Sequence, residues 1–458
     1  MIINPKDNVE VRDDGHKYAL RDIAEGENII KYGMPIGHAT KAIAKGEHVH
    51  VHNVATNLGE VIEYKYEPEF ADVEKKPSPT IKAYRHRDGR IGIRNDIWVI
   101  PLVGCVNRLA ERLAQSCGGL YLQHPYGCSQ MGKDHEMTCN MLANFVRHPN
   151  AGGVLVIALG CENNTLESFK ARLGLDKDAQ NGDAIGINLR FLRAQDPGDE
   201  FERGKALIAE LDAARPKERV EVPVSELVVG LKCGGSDGFS GLTANPLVGR
   251  FSDWLAARGG STILTEVPEM FGAETLLMKR CRTKNIFDKC VQMINGFKDY
   301  YASHNQVCYE KPSPGNKAGG ITTLEDKSLG CVLKGGSAPV EDVLLYGERV
   351  KTHGLSLMTG PGNDLVASSV LAAAGAHLVL FTTGRGTPFG CVIPTMKVAS
   401  NSTLAKNKPN WIDYDAMANP DVETFAAKVM RVASGEEKAR NELNGAQGIA
   451  IFKDGVTL

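Results

Sequence analysis

The chain lacks any stretch approaching 18 consecutive apolar residues, so no transmembrane helix is expected. Its first residues, Met1-Ile2-Ile3-Asn4-Pro5-Lys6-Asp7, lack the basic-then-apolar order of a secretory signal. It also lacks an excess of either charge: 53 Lys and Arg against 55 Asp and Glu give a net charge of −2. That balance supplies no electrostatic reason to bind nucleic acid or an anionic membrane. The eleven cysteines are odd in number and contain no CxxC pair, which argues against a disulfide framework and a zinc ribbon. The expectations are a cytoplasmic protein, a homo-oligomer, and a small-molecule partner with neither nucleic acid nor membrane.

What is present is a repeated pattern. Five short apolar runs end in clusters of Gly with Cys, Asp or Arg. They are Ile97–Val103 before Gly104-Cys105, Val154–Leu159 before Gly160-Cys161-Glu162, and Leu227–Leu231 before Cys233-Gly234-Gly235-Ser236-Asp237. Leu355–Met358 precedes Gly360-Pro361-Gly362, and Leu378–Phe381 precedes Thr383-Gly384-Arg385-Gly386-Thr387. Runs of this length bounded by Gly and Pro read as strands buried on both faces. Ligands of open α/β sheets bind outside the carboxyl ends of such strands, so the loops predict an enzyme site.

The 458 residues allow two to four domains, each long enough to bury a core of its own. Residues 1–60 read as a small β-rich unit, with short strands at Val9–Val11, Ile29-Ile30 and His48–Asn53 between Gly turns. Residues 61–80, rich in Glu, Lys and Pro, read as an extended linker. Two α/β units with mostly parallel or mixed sheets follow, 81–222 and 223–458. Helical spacing places Met137, Met141, Leu142, Phe145 and Val146 on one face of Glu136–His148. Further helices are expected at Arg108–Ala114, Glu202–Ala213, Leu247–Arg258 and Asp364–Ala374.

Several clusters carry candidate chemistry. His48, His50 and His52 at alternate positions share one face of a strand, about 6–7 Å apart in succession. Neighbours among them can converge on one ion, or all three can line a solvated face. His16 and Lys17 sit at a turn where imidazole and ammonium can meet an anion. Lys317, in the Gly/Pro loop Ser313–Gly320, suits a carboxylate; the loop lacks the Walker A spacing. Arg385 between two glycines can clamp a carboxylate bidentately, and Asn316 and Thr387 flank these cations as further substrate contacts. Gly234-Gly235-Ser236-Asp237-Gly238 lacks the full dinucleotide pattern, so no nucleotide is expected.

Cys117, Cys139, Cys281, Cys290 and Cys308 read as small buried hydrophobes. Cys331 and Cys391 fit either role. Cys105, Cys128, Cys161 and Cys233 adjoin strand ends or Gly turns, and three or four such thiols brought together can hold iron. A lone nucleophilic thiol needs a histidine base, and His124 and His135 are only sequence neighbours of Cys128.

Taken together these strings resemble the altronate dehydratase family of sugar-acid hydro-lyases, nearly end to end. Gly15-His16-Lys17, Gly46-Glu47-His48-Val49-His50, Tyr126-Gly127-Cys128-Ser129-Gln130, Gly160-Cys161-Glu162-Asn163-Asn164 and Cys233–Gly238 carry the resemblance, with Thr265–Glu274, Pro312–Gly330 and Thr383–Pro388. It implies an N-terminal SAF (β-clip) domain and dehydration of D-altronate to 2-dehydro-3-deoxy-D-gluconate in hexuronate breakdown. Galactarate dehydratase and sulfolactate sulfo-lyase are more distant likenesses. It also implies Fe²⁺, with Mn²⁺ or an iron–sulfur cluster as alternatives. In that setting Cys105, Cys128 and Cys161 are the expected iron ligands. His16, Lys17, His50 and His52 are the expected catalytic groups, and Lys317, Arg385, Asn316 and Thr387 the substrate contacts.

Overall fold

A computed structural model of the chain describes residues 1–2, 4–58, 63–307 and 312–455. Cys308 and residues 59–62, where the expected linker begins, lie outside the described residues. All five apolar runs form parallel strands. Asp96–Pro101 and Ala151–Ala158 pair within a four-stranded sheet completed by Leu120–Tyr121 and Leu189–Arg193. Val228–Cys233, Gly354–Met358 and Leu378–Thr383 join Ser261–Leu264, Val340–Leu344, Thr395–Ala399 and Tyr414–Asp415 in a seven-stranded parallel sheet. Every residue of Ala151–Ala158 and Leu378–Thr383 is buried, as strands covered on both faces must be.

The covering helices follow their apolar periodicity. Gly132–Val146 buries Met137, Met141, Leu142, Phe145 and Val146, the expected face. Asp364–Ala373 starts at Asn363, whose side chain accepts from the N–H groups of Leu365 and Val366. Residues 63–79 have no regular structure but run along the C-terminal body, where Tyr66 Oη donates to Arg282 O and Lys76 N–H to Ala257 O. No helix among the described residues is long and apolar enough to cross a membrane.

The N-terminal unit is two three-stranded antiparallel sheets, one of Val9–Val11, Lys17–Ala19 and His48–Val49, the other of Asn28–Lys31, Met34–Ala39 and Val54–Ala55. The expected strand His48–Asn53 therefore stops at Val49. Asn53 ends it: its Oδ1 accepts the His50 N–H at 2.9 Å and its Nδ2 donates to His48 O at 2.9 Å. These local bonds satisfy backbone groups that a longer ladder would otherwise use.

Apolar clusters run across the boundaries between these units. One apolar cluster joins Trp98 and Val154 of the smaller parallel sheet to Ile263 and Val379 of the larger. Another joins Val9, Ile29 and Ile36 of the N-terminal unit to Leu247, Leu329 and Val332 of the body. Three buried histidines share one hydrogen-bonding pattern, and two of them, His148 and His377, bridge the two α/β units. His124, His148 and His377 each accept a backbone N–H at Nδ1, from Tyr126, Asn150 and Val228. Each donates from Nε2 to a carbonyl, of Pro101, Ala376 and Ile91. Only the neutral ring makes both bonds, because protonation would set N–H against N–H.

Burial pushes His124 and His377 down to about 4 and His148 well below its usual value. Their stabilisation is complete above the ordinary pKa near 6.5 and is lost as pH falls from there through the depressed values. The melting temperature should therefore drop steeply between pH 6.5 and 4, each histidine contributing roughly 1.4 kcal/mol per pH unit. Calorimetry across that range checks this; a flat profile would contradict the neutral tautomers.

Candidate active site between the N-terminal domain and the strand-end loops

The turn that ends the His48–Val49 strand folds His50 back beside His48, and the Gly15 turn (φ 81°) brings His16 to both. His48 Nε2 lies 3.1 Å from His16 Nδ1, and ligand nitrogens of His16, His48 and His50 all fall within 4.8 Å of one another. All three side chains are half-buried, and His50 Nδ1 is buried without a hydrogen-bond partner. Burial, then the charges of Lys17 and the neighbouring rings, push His50 down to about 4; burial likewise lowers His48. Burial thus favours the neutral form of His48 and His50, the form that offers a metal ion a lone pair.

This cluster is pressed against the body by backbone contact. A Cβ on Gly238 would lie 1.9 Å from Gly15 O, and one on Gly320 would lie 2.2 Å from the same atom. Only glycine permits that approach. Beside it, Asp326 of the helix Leu324–Val332 receives Lys17 Nζ at 2.7 Å and Lys31 Nζ at 3.0 Å, with all three side chains buried. Burial alone would raise the Asp326 carboxyl, but the two ammonium groups hold it well below the usual range. One carboxylate cannot neutralise two buried cations. Burial accordingly lowers Lys17 to about 8, while Asp326 keeps Lys31 raised. On the same helix, Glu325 accepts Thr56 Oγ1 at 2.8 Å and the Asn57 N–H.

The loops facing the imidazoles are tied to each other. Gly384 and Arg385 donate their N–H groups to Gly235 O, and Asn316 Nδ2 donates to Ser236 O at 2.9 Å. Ser236 Oγ is buried with no partner. Lys317 is half-buried, Arg385 is exposed, and neither cation has a partner among the described residues. Two free cations, an unsatisfied hydroxyl and three converging imidazoles suit a small polyhydroxylated anion.

Residues 2–57 match the altronate/galactarate dehydratase SAF domain. Residues 83–214 match the D-galactarate dehydratase/altronate hydrolase second domain, and residues 224–457 the D-galactarate/altronate dehydratase C-terminal domain. The chain belongs to the galactarate/altronate dehydratase family. It is 52% identical to altronate dehydratase of Bacillus subtilis, covering 98% of this chain and 94% of that one. Identity to altronate dehydratase of Escherichia coli is 51%, covering 97% and 92%. The L-threo-forming galactarate dehydratase of Escherichia coli is 30% identical, covering 96% and 89%.

Within this dehydratase fold the expected site residues divide. His16 and His50 come together with His48 as the third imidazole; His52 is exposed, its ring 5.6 Å from that of His48. Lys17 is committed to Asp326 and to Gly320 O, so it docks the domain instead of reaching a ligand. Asn316 caps its helix with Ser313 and bridges to Ser236, and Thr387 Oγ1 accepts the Phe389 N–H. Both hold loops in shape. The sulfurs of Cys105, Cys128 and Cys161 are not among the close ligand sets of the described residues, which are His16, His48 and His50, and Cys233, Glu269 and Cys331. Cys117 is exposed, contrary to expectation, whereas Cys139, Cys281, Cys290 and Cys391 are buried.

Sequence reasoning missed the network beneath the strand ends. Cys233 and Cys331 approach to 3.3 Å and share Glu269 Oε2 at 2.9 and 3.2 Å. Lys327 holds Glu269 at 2.6 Å, and Lys232 holds Glu266 at 2.6 Å and Asp364 at 2.8 Å. The available signal was Lys232 itself, a lysine inside an otherwise apolar strand.

Replacing Asp326 by Asn should leave two buried ammonium groups without a counter-charge and cost about 3–5 kcal/mol in chemical denaturation. Gly238→Ala should instead keep the fold by circular dichroism while displacing the Gly15 turn, so that turnover falls and the His16 cluster loses metal affinity. Unchanged metal binding and turnover in Gly238→Ala would show that the contact is dispensable.

Proposed function

We propose that the chain dehydrates D-altronate to 2-dehydro-3-deoxy-D-gluconate, as a cytoplasmic step of hexuronate breakdown. The observation that carries this reading is the imidazole triad held by glycine contacts against loops that bear two unpaired cations. The 51–52% identity to two altronate dehydratases, against 30% to a galactarate dehydratase, favours altronate as substrate.

His16, His48 and His50 fit a borderline divalent cation: their ligand nitrogens lie within 4.8 Å of one another, and His50 Nδ1 is buried and unpartnered. Fe²⁺ or Mn²⁺ held there would supply Lewis acidity toward substrate oxygens. Arg385 grips the carboxylate with two parallel hydrogen bonds, which its planar guanidinium allows, and Lys317 adds a point charge. Together they lower the cost of the negative charge that builds on the carboxylate as the C2–H bond breaks. His52, the imidazole outside the triad, accepts that proton. The C2–H electrons form the C2=C3 bond as the C3 hydroxyl departs, so proton and hydroxyl leave as one water and no redox cofactor is consumed. The enol then tautomerises to the 2-keto acid.

The test is turnover of D-altronate by chain stripped of metal and reloaded with Fe²⁺ or Mn²⁺, with galactarate and sulfolactate as competing substrates. Keto-acid formation should require metal and prefer altronate. His48→Ala and His50→Ala should lose metal and activity together. Arg385→Lys should lower kcat/KM by about 10- to 100-fold, the worth of a hydrogen bond to a charged group. Full turnover after exhaustive chelation would sink the metal centre, and faster turnover of galactarate the substrate.

A further inference from the structure

Cys105, Cys128 and Cys161 have no part in the cleft chemistry, yet their placement is not that of packing residues. Leu120–Tyr121, Asp96–Pro101 and Ala151–Ala158 are consecutive in the four-stranded sheet, and the segment after each carries one of the three thiols. All three are free and exposed. Hydrogen bonds join the segments into one edge. Gly104 N–H donates to Tyr126 O at 2.9 Å, Asn164 N–H to Gly127 O at 3.1 Å, and Ser129 N–H to Asn163 Oδ1 at 2.9 Å. A Cβ on Gly127 would lie 1.9 Å from Leu102 O, and Ser129 is held at a left-handed φ of 61°. Strained backbone of this kind persists where the surroundings impose it, commonly around ligands.

A second observation is independent of the thiols. Asn107 Oδ1, Gln130 Nε2, Glu162 Oε1 and Asn164 Nδ2 are buried polar atoms without a hydrogen-bond partner, and all belong to these segments. Gln130 is 5% exposed, Glu162 4% and Asn164 1%. Each unmade bond costs about 1–3 kcal/mol, so four along one sheet edge point to a missing polar ligand.

The thiols narrow its chemistry. They form no disulfide, and their sulfurs do not come within the 4.8 Å span of a single-ion set. A cubane cluster differs, because each thiolate binds its own iron and bridging sulfides hold the irons together, so the ligand sulfurs stand further apart. Bridging sulfides accept hydrogen bonds, which suits the orphan amide donors of Gln130 and Asn164. We infer that Cys105, Cys128 and Cys161 ligate a [4Fe–4S] cluster that keeps one iron without a protein thiolate. The orphan oxygens of Asn107 and Glu162 suit a water on that iron. This centre is separate from the His16, His48 and His50 set and does not rest on it.

Anaerobic reconstitution of the full chain with iron salts, sulfide and a thiol reductant tests the inference. The expected result is about four acid-labile sulfides per chain, with visible sulfide-to-iron absorption that bleaches on reduction. Cys105→Ser, Cys128→Ser and Cys161→Ser should each lower the labile sulfide, whereas the His48→Ala/His50→Ala double variant should retain it. Loss in the histidine variant, absence of labile sulfide in the wild-type chain, or full retention in the triple Ser variant would each overturn the assignment. Alkylation mapped by mass spectrometry covers the case in which Ser variants fail to fold. Reconstitution should protect Cys105, Cys128 and Cys161 in the wild-type chain while exposed Cys117 stays reactive; equal labelling of all four would overturn it.

Discussion

The carboxylate of Asp326 is the interaction on which the site depends. It is the one acidic group between two lysines contributed by the N-terminal domain, and the side chains of all three are buried. A buried ion pair need not stabilise a fold more than apolar residues would, but losing one partner is severe because the other charges stay buried. Such a contact fixes register more than it adds stability. It admits one seat for the small domain, and in that seat Gly15 O meets Gly238 and Gly320. The imidazoles are then set against the strand-end loops without any covalent link nearer than the segment after residue 58.

Docking also explains why the N-terminal domain has so little structure of its own. Its strands are two to six residues long, and its apolar residues Val9, Ile29 and Ile36 complete a cluster with the body. A unit of that size buries too little surface to be firm alone. Continuity of the core supplies what the short strands lack, and it makes the position of His16 a property of the whole chain.

The parallel strands were legible because burial on both faces writes an unbroken apolar run, which Gly and Pro then delimit. The strand-end loops were legible for the same reason, and Arg385 falls in one of them, just after Leu378–Thr383. The imidazole triad was only half legible. Alternation placed His48, His50 and His52 on one face, but the reach of Asn53 back to His48 O and the His50 N–H is a side-chain effect that alternation ignores. It turned a straight array into a convergent pair and left His52 outside. Lys17 and Asn316 read as ligands because polar residues beside glycine look available. Their partners, Asp326 and Ser236, are 309 and 80 positions away, and nothing local announces them.

The thiols show the converse limit. Cys233 and Cys105 carry the same sequence signal, an apolar run followed by a Gly turn, yet they end in opposite environments. Cys233 is buried against Cys331 and Glu269, whose carboxylate Lys327 holds. Cys105 is exposed on an edge where buried amides and oxygens go unpaired. The strand-end rule says where a ligand can bind, but not whether the polar groups there are already spent on one another. That distinction lies in hydrogen-bond satisfaction, which depends on partners from distant strands. It separates a closed polar core beneath the large sheet from an open one on the small sheet, although both are built from the same kinds of residue.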